Sequence, residues 1–234
     1  MPFYNFSQAL GPGPTRLTVE GEIMPGGWAS PMDTDASAFC RALSRCGEVD
    51  VIINSPGGDV FAGAQMYSML RAHPGKVRVM IAGIAASAAS VVAMAGDEVL
   101  ISPVGYMMIH NPWMLIAGNA DQLEKAADDL REIGRGIMAA YREKTGMSDE
   151  ELTPLLEAET YMNAQSAIEM GFADGLWLPD EVNPEPAPAS RMAGRNYAPQ
   201  AVMARLREKA GPEQNHVSDW RRRMAMLADA MKIK

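Results

Sequence analysis

Apolar and polar positions alternate along this chain in two rhythms, one of period two and one of period three to four. Arg16-Leu17-Thr18-Val19-Glu20-Gly21-Glu22-Ile23 alternates singly and predicts a strand. Val49 to Asn54 is almost wholly apolar, the pattern of a strand covered on both faces. Between them, Asp33 or Thr34 can cap a helix that turns Phe39, Ala42, Leu43 and Cys46 inward and ends at Gly47. Asn54-Ser55-Pro56-Gly57-Gly58-Asp59 reads as a turn whose glycines permit close backbone approach. It leads into a helix with Val60, Ala64, Tyr67, Met69 and Leu70 as apolar positions, ending near His73-Pro74-Gly75. The same order recurs in Val77 to Ala82 and Gly83 to Ala95, and further strands are predicted at Glu98 to Ile101 and Met107 to His110. Alternating strands and helices predict an α/β core of repeated units.

From Asp121 to Lys144 the pattern becomes one long helix carrying Leu123, Ala126, Ala127, Leu130, Ile133, Ile137 and Tyr141. At 1.5 Å per residue it would run about 36 Å, more than a compact core needs, which predicts a projection or an interface element. A helix from Asp149 to Ala158, the segment Glu159-Thr160-Tyr161-Met162 and a helix from Ala164 to Gly171 close the core near Leu178. The expected layout is an N-terminal arm at 1–15, one globular domain at 16–178, a Pro-rich linker at 179–200 and a basic tail at 201–234. In that tail Trp220, Met224, Leu227 and Met231 follow a helical spacing.

Charge sharpens the division. Residues 1–178 hold 11 Lys and Arg against 22 Asp and Glu, whereas 179–234 hold 10 against 7. An acidic body is a poor general binder of nucleic acid. No run of about 18 apolar residues exists to span a bilayer and the first residues lack the build of a secretory signal, so the expected location is cytoplasmic. The two cysteines, Cys40 and Cys46, lie on different faces of a predicted helix and are expected to be unbridged. No metal-ligand cluster or phosphate-binding glycine motif stands out, so neither metal nor nucleotide is expected as a cofactor. The 19 methionines are expected to fill core and interface.

The candidate chemistry centres on Ile81 to Met94, where small residues surround Ser87 at a strand-to-helix junction. Free amides at such a junction would serve an oxyanion formed beside Ser87. A serine hydroxyl needs a base, and imidazole is the usual one. Of three histidines, His73 precedes a proline in a turn and His216 lies in the tail, which leaves His110, at the end of an apolar strand, as the best placed. A third group must fix the histidine tautomer. Glu159 is a candidate, although by its own surroundings it is one acid among many. Gly57 or Gly58 can offer an amide to the oxyanion, together with the amide of Ala88. Of the neighbouring serines, Ser90 is expected to pack as a small helix residue, Ser55 to order the glycine turn and Ser102 to begin a loop.

Four blocks carry a resemblance: Asn54-Ser55-Pro56-Gly57-Gly58, Gly83-Ile84-Ala85-Ala86-Ser87, Met108-Ile109-His110-Asn111-Pro112 and Glu159-Thr160-Tyr161-Met162-Asn163-Ala164. In order and spacing they resemble the motifs of the ClpP family of serine peptidases, over residues 16–178. Gly58-Asp59-Val60-Phe61-Ala62, Ala86-Ser87-Ala88-Ala89-Ser90 and His110-Asn111-Pro112-Trp113 are most similar to the phage and prophage branch, the ClpP-like head maturation proteases. The resemblance implies an α/β, crotonase-like ClpP fold of repeated ββα units with a protruding handle helix. It implies Ser87 as nucleophile, His110 as base, Glu159 as orienting acid and the amides of Gly58 and Ala88 as the oxyanion hole. Housekeeping ClpP has Asp where Glu159 stands and Gly where Ala89 stands; the phage branch is similar to this chain at both.

The function expected from that resemblance is ATP-independent cleavage of capsid or scaffold polypeptides during phage head maturation, through an acyl-enzyme on Ser87. The chain would act as a ring-shaped homo-oligomer in the host cytoplasm or the assembling prohead. Three alternatives remain open: a Clp-type degradative peptidase fed by an ATPase, a crotonase-like acyl-CoA enzyme, and an inactive capsid assembly or scaffold subunit. The pairing of Ser87 with His110 argues against the acyl-CoA enzyme, whereas the basic, Pro-linked tail favours the scaffold subunit.

Overall fold

A computed structural model describes residues 13–178. All but the last three residues of the expected N-terminal arm, and the whole of the expected linker and tail, lie outside the described residues. The chain forms an α/β fold, a central sheet with helices, as expected. β1 (Thr15–Met24) is followed by the two-residue β2 (Thr34–Asp35) and α1 (Ala36–Leu43). β3 (Val49–Gly58), α2 (Val60–Arg71), β4 (Val77–Ala86) and α3 (Ala88–Ala93) come next. β5 (Glu98–Ile101) and β6 (Tyr106–Ile109) precede the long α4 (Ala120–Thr145), and α5 (Asp149–Glu157), β7 (Thr160–Asn163), α6 (Ala164–Glu169) and β8 (Gly175–Leu176) complete the order.

The strands are arranged β2-β1-β3-β4-β5-β8, and β6 joins β4 and β7. Every pairing is parallel except β6 with β7. Apolar runs suit this topology because the central strands are covered: Val51, Ile53, Val79 and Ile81 are fully buried. β5 and β6 occupy successive stretches of the same edge of β4, the first along Arg78 to Ile81 and the second along Ile84 to Ala86. That succession places the C-terminal ends of β4 and β6 side by side.

Two strands run further than their composition predicts. β3 continues through the expected turn to Gly58, and β4 continues through residues read as helix to Ala86. Pairing overrides local propensity in both. Ser55 pairs with Ala85 across β3 and β4, and Ile84 to Ala86 pair with Tyr106 to Met108. The glycines are accommodated by a register shift against β1 between Glu20 and Glu22, bridged by the Ser55 hydroxyl. That hydroxyl donates to the Gly21 carbonyl at 2.6 Å and accepts the Gly57 N–H at 3.1 Å.

α1 is capped by neither Asp33 nor Thr34 but by Asp35, whose side chain accepts the Ala38 N–H. Cys40 and Cys46 are unbridged thiols. α4 has 26 residues, about 39 Å by its rise, and starts in a capping box between Asn119 and Gln122. It buries Ala126, Gly134, Ala140 and Tyr141 and ends at Gly146 in the left-handed conformation. Among the described residues no helix is long and apolar enough to cross a membrane.

Candidate active site

Ser87 occupies the single residue between β4 and α3 and takes φ 53° and ψ −126°. A non-glycine residue held there costs about 1–3 kcal/mol, so its surroundings must fix it. They do so through the backbone on both sides. The Ser87 N–H donates to the Met108 carbonyl of β6 at 2.9 Å, and the Ser87 carbonyl accepts the N–H groups of Ser90 and Val91 at 2.9 and 3.3 Å. The Ser90 hydroxyl donates to the same carbonyl at 2.6 Å.

His110 is the first residue beyond β6. Because Ala86 pairs with Met108, Ser87, one step further on, and His110, two steps further on, leave the parallel strands at the same end of the sheet. Their side chains meet: Nε2 of His110 lies 2.8 Å from Oγ of Ser87, within hydrogen-bond reach. β7 lies on the other side of β6, where Ile109 pairs with Thr160 in an antiparallel ladder. His110 and Glu159 are the residues that flank this last pair, one just beyond the end of β6 and one just before the start of β7. Glu159 adopts φ 50° at the corner between α5 and β7 and is exposed. Among the described residues no hydrogen bond joins its carboxylate to His110, although both line the same cleft.

The glycine pair of β3 forms the opposite wall. Gly57 has φ +97°, and a Cβ on it would stand 2.7 Å from the Ser87 Cβ and 2.9 Å from the Ala88 nitrogen. A side chain there would fill the space beside Ser87. Gly58, at φ +147°, presses against β1, where a Cβ would stand 2.3 Å from the Ile23 carbonyl oxygen. The Gly57 N–H is taken by Ser55, which leaves Gly58 as the glycine whose amide is not committed to that hydroxyl. Ala88, at the first position of α3, has an N–H with no intrahelical acceptor.

The cleft holds about 760 Å³ and is bounded by the glycine wall, by Pro112 and Trp113, and by Ile133 and Ile137 of α4. Its lining is largely apolar, with Ser87, His110, Glu159, Glu22 and Asp59 among its polar members. Among the described residues no group of three or more His, Cys, Asp or Glu is placed to share a metal ion. Chemically, the cleft offers a hydroxyl paired to an imidazole, an acid within the same opening, and main-chain amides beside them.

Two participants in this geometry escape the sequence patterns. Ser90 reads as a small helix residue and Tyr141 as an apolar helix position, yet both are fully buried and their hydroxyls lie 2.8 Å apart. Burial pushes the Tyr141 phenol well above the usual tyrosine range. Two hydroxyls on core-facing positions must find partners, and that requirement is the signal that could have paired them.

The model of the Clp protease family matches residues 39–178, a span that includes Ser87, His110 and Glu159. The ATP-dependent Clp protease proteolytic subunit 1 of Chlamydia abortus is 32% identical over 129 residues, covering 53% of this chain and 67% of that protein. The ATP-dependent Clp protease proteolytic subunit of Deinococcus radiodurans is 30% identical over 129 residues, 54% of this chain and 63% of the other. The subunit of the same name from Ligilactobacillus salivarius is 30% identical over 140 residues, 59% of this chain and 71% of the other. On the family match, which spans more than half its length, the chain belongs to the Clp protease family.

Proposed function

We propose that this chain is a serine endopeptidase in which Ser87 is the nucleophile, His110 the general base and Glu159 the orienting acid. The observation that carries this is the 2.8 Å hydrogen bond between His110 Nε2 and Ser87 Oγ at a strained corner. In the first step Nε2 takes the hydroxyl proton as Oγ attacks the substrate carbonyl. The oxyanion is met by the amides of Gly58 and Ala88, and each such donor is worth roughly 10²–10³ in rate. The imidazolium then gives its proton to the leaving amine as the C–N bond breaks, which leaves an acyl-enzyme. Water, deprotonated by His110, hydrolyses that ester and returns the proton to Oγ. Glu159 acts in this scheme by rotating from its exposed position to accept from Nδ1 of His110. The largely apolar lining of the cleft supports substrates with an apolar residue next to the cleaved bond.

The substrates we propose are capsid or scaffold polypeptides, cleaved without ATP during phage head maturation. The three blocks similar to the phage branch support this, around Gly58-Asp59-Val60, Ala86 to Ser90 and His110 to Trp113. A homo-oligomeric ring is supported by the exposed apolar run ahead of α4, in which Trp113 is 76% and Leu115 96% exposed. A second reading, a degradative peptidase working with an ATPase, is favoured by the names of the relatives, which are ATP-dependent proteolytic subunits. Incubating wild type and Ser87→Ala with phage capsid and scaffold proteins, followed by intact-mass analysis, tests the first. Discrete cleavage by wild type alone, without nucleotide, is expected. Loss of the phage reading would follow from intact assembly proteins together with proteolysis that appears only with an added Clp ATPase and ATP.

A further inference from the structure

The nucleophile's peptide is gripped from behind by a buried pair of hydroxyls that the reaction scheme does not use. Ser90 is 0% and Tyr141 1% exposed. Ser90 Oγ lies 2.6 Å from the Ser87 carbonyl oxygen and 2.8 Å from Tyr141 Oη. Proton counting fixes the direction of the chain. The one proton of Ser90 goes to the carbonyl, which can only accept, so Tyr141 must donate to Ser90. Burial keeps the phenol protonated and hence a donor.

The Ser87 carbonyl and the Ala88 N–H belong to one peptide unit, and no peptide bond among the described residues is cis. In a trans unit the two groups point in opposite directions. Whatever holds the carbonyl toward Ser90 and Tyr141 therefore aims the Ala88 N–H the other way, toward the space beside Gly57.

We propose that Tyr141 and Ser90 form a hydrogen-bonded relay that positions the Ala88 N–H as an oxyanion donor, and so links α4 to the reacting centre. The proposal rests on the peptidase reading for its kinetic consequences. Ser90 and Tyr141 act here as positioning residues: both are buried, Ser90 wholly and Tyr141 to within 1% at the edge of the cleft. Their effect is expected in the transition state, where the donor is needed, and not in ground-state binding.

Tyr141→Phe tests this, because it removes the donor and keeps the ring, whose edge-to-face contact with Phe172 has a centroid distance of 5.9 Å. Turnover of a peptide substrate, the rate of fluorophosphonate labelling at Ser87 and thermal unfolding are compared for Tyr141→Phe, Ser90→Ala and the double variant. Tyr141→Phe is expected to lower kcat and the labelling rate about tenfold, less than outright loss of a donor, with KM changed by less than about twofold. Since Tyr141 acts only through Ser90, the double variant should match Ser90→Ala alone. Hydrogen exchange read by mass spectrometry follows the relay without turnover: the amides of Ser90 and Val91 should exchange faster in Tyr141→Phe, while β3 is unchanged. A folded Tyr141→Phe with wild-type kcat, labelling rate and exchange overturns the relay, as does a lowered unfolding temperature with catalysis intact. Wild type that is never labelled at Ser87 defeats the peptidase reading instead, and the exchange comparison still decides whether the hydroxyls hold the peptide.

Discussion

At the scale of single residues, the site depends on what is missing from Gly57 as much as on what is present at Ser87. A methyl group at position 57 would stand 2.6 Å from the Ala86 carbonyl oxygen and would crowd the Ala88 nitrogen at 2.9 Å. Gly57→Ala is therefore expected to cut kcat by about 10² or more, the scale of one lost oxyanion donor, as measured on a chromogenic peptide. Glu159 presents a different balance. A buried triad acid is worth about 10⁴ in rate, but this one is exposed and screened by water, so Glu159→Gln should cost about 10² in kcat. An unchanged rate would remove Glu159 from the machinery. The sequence made Ser87 conspicuous through its small neighbours. For Glu159 it offered only the resemblance, because nothing local sets it apart from the other acids of the chain.

At the scale of elements, parallel pairing sets the geometry. β3 and β4 are held in register partly by a fork of Arg78 to Asp50, with both nitrogen-to-oxygen distances 2.9 Å. Asp50 is buried, so removing it strands a guanidinium that is only partly solvated. Asp50→Ala should lower stability by about 3 kcal/mol in urea unfolding, at the lower end for a broken buried pair, while Ser87 still labels under native conditions. Elements with strong periodicity were legible from the amino acids: α4 departs from its expected bounds by one residue at each end. The ends of β3 and β4 were not. Pro56-Gly57-Gly58 has turn chemistry and Gly83 to Ala86 has helix-like composition, and only the neighbouring strands keep them extended. The hydrogen bond between Ser87 and His110 follows from those extensions, since β4 must reach Ala86 for its end to meet the end of β6.

At the scale of the whole molecule, the described surface exposes apolar side chains at several places, among them Trp28, Met32, Phe61 and Val104, and at one run of four consecutive residues. Trp113, Met114, Leu115 and Ile116 precede α4 with their side chains open to solvent, and Leu123 on the helix itself is 44% exposed. Burial of a Leu side chain contributes about 1.5–3 kcal/mol, and a charge in its place opposes association. Leu115→Glu is expected to shift the protein toward smaller species in light scattering, and an unaltered mass would show that this stretch is not the contact. Oligomer size was not legible from the chain, because a closed ring is set by the angle between copies and not by the composition of the patch.

The most direct test of the central claim is intact-mass analysis after exposure to a fluorophosphonate, with peptide mapping of the adduct. One adduct per chain is expected, located on Ser87, absent from Ser87→Ala and much slower to form in His110→Ala. A folded wild-type protein that takes up no label, or takes it up on a serine other than Ser87, would contradict it.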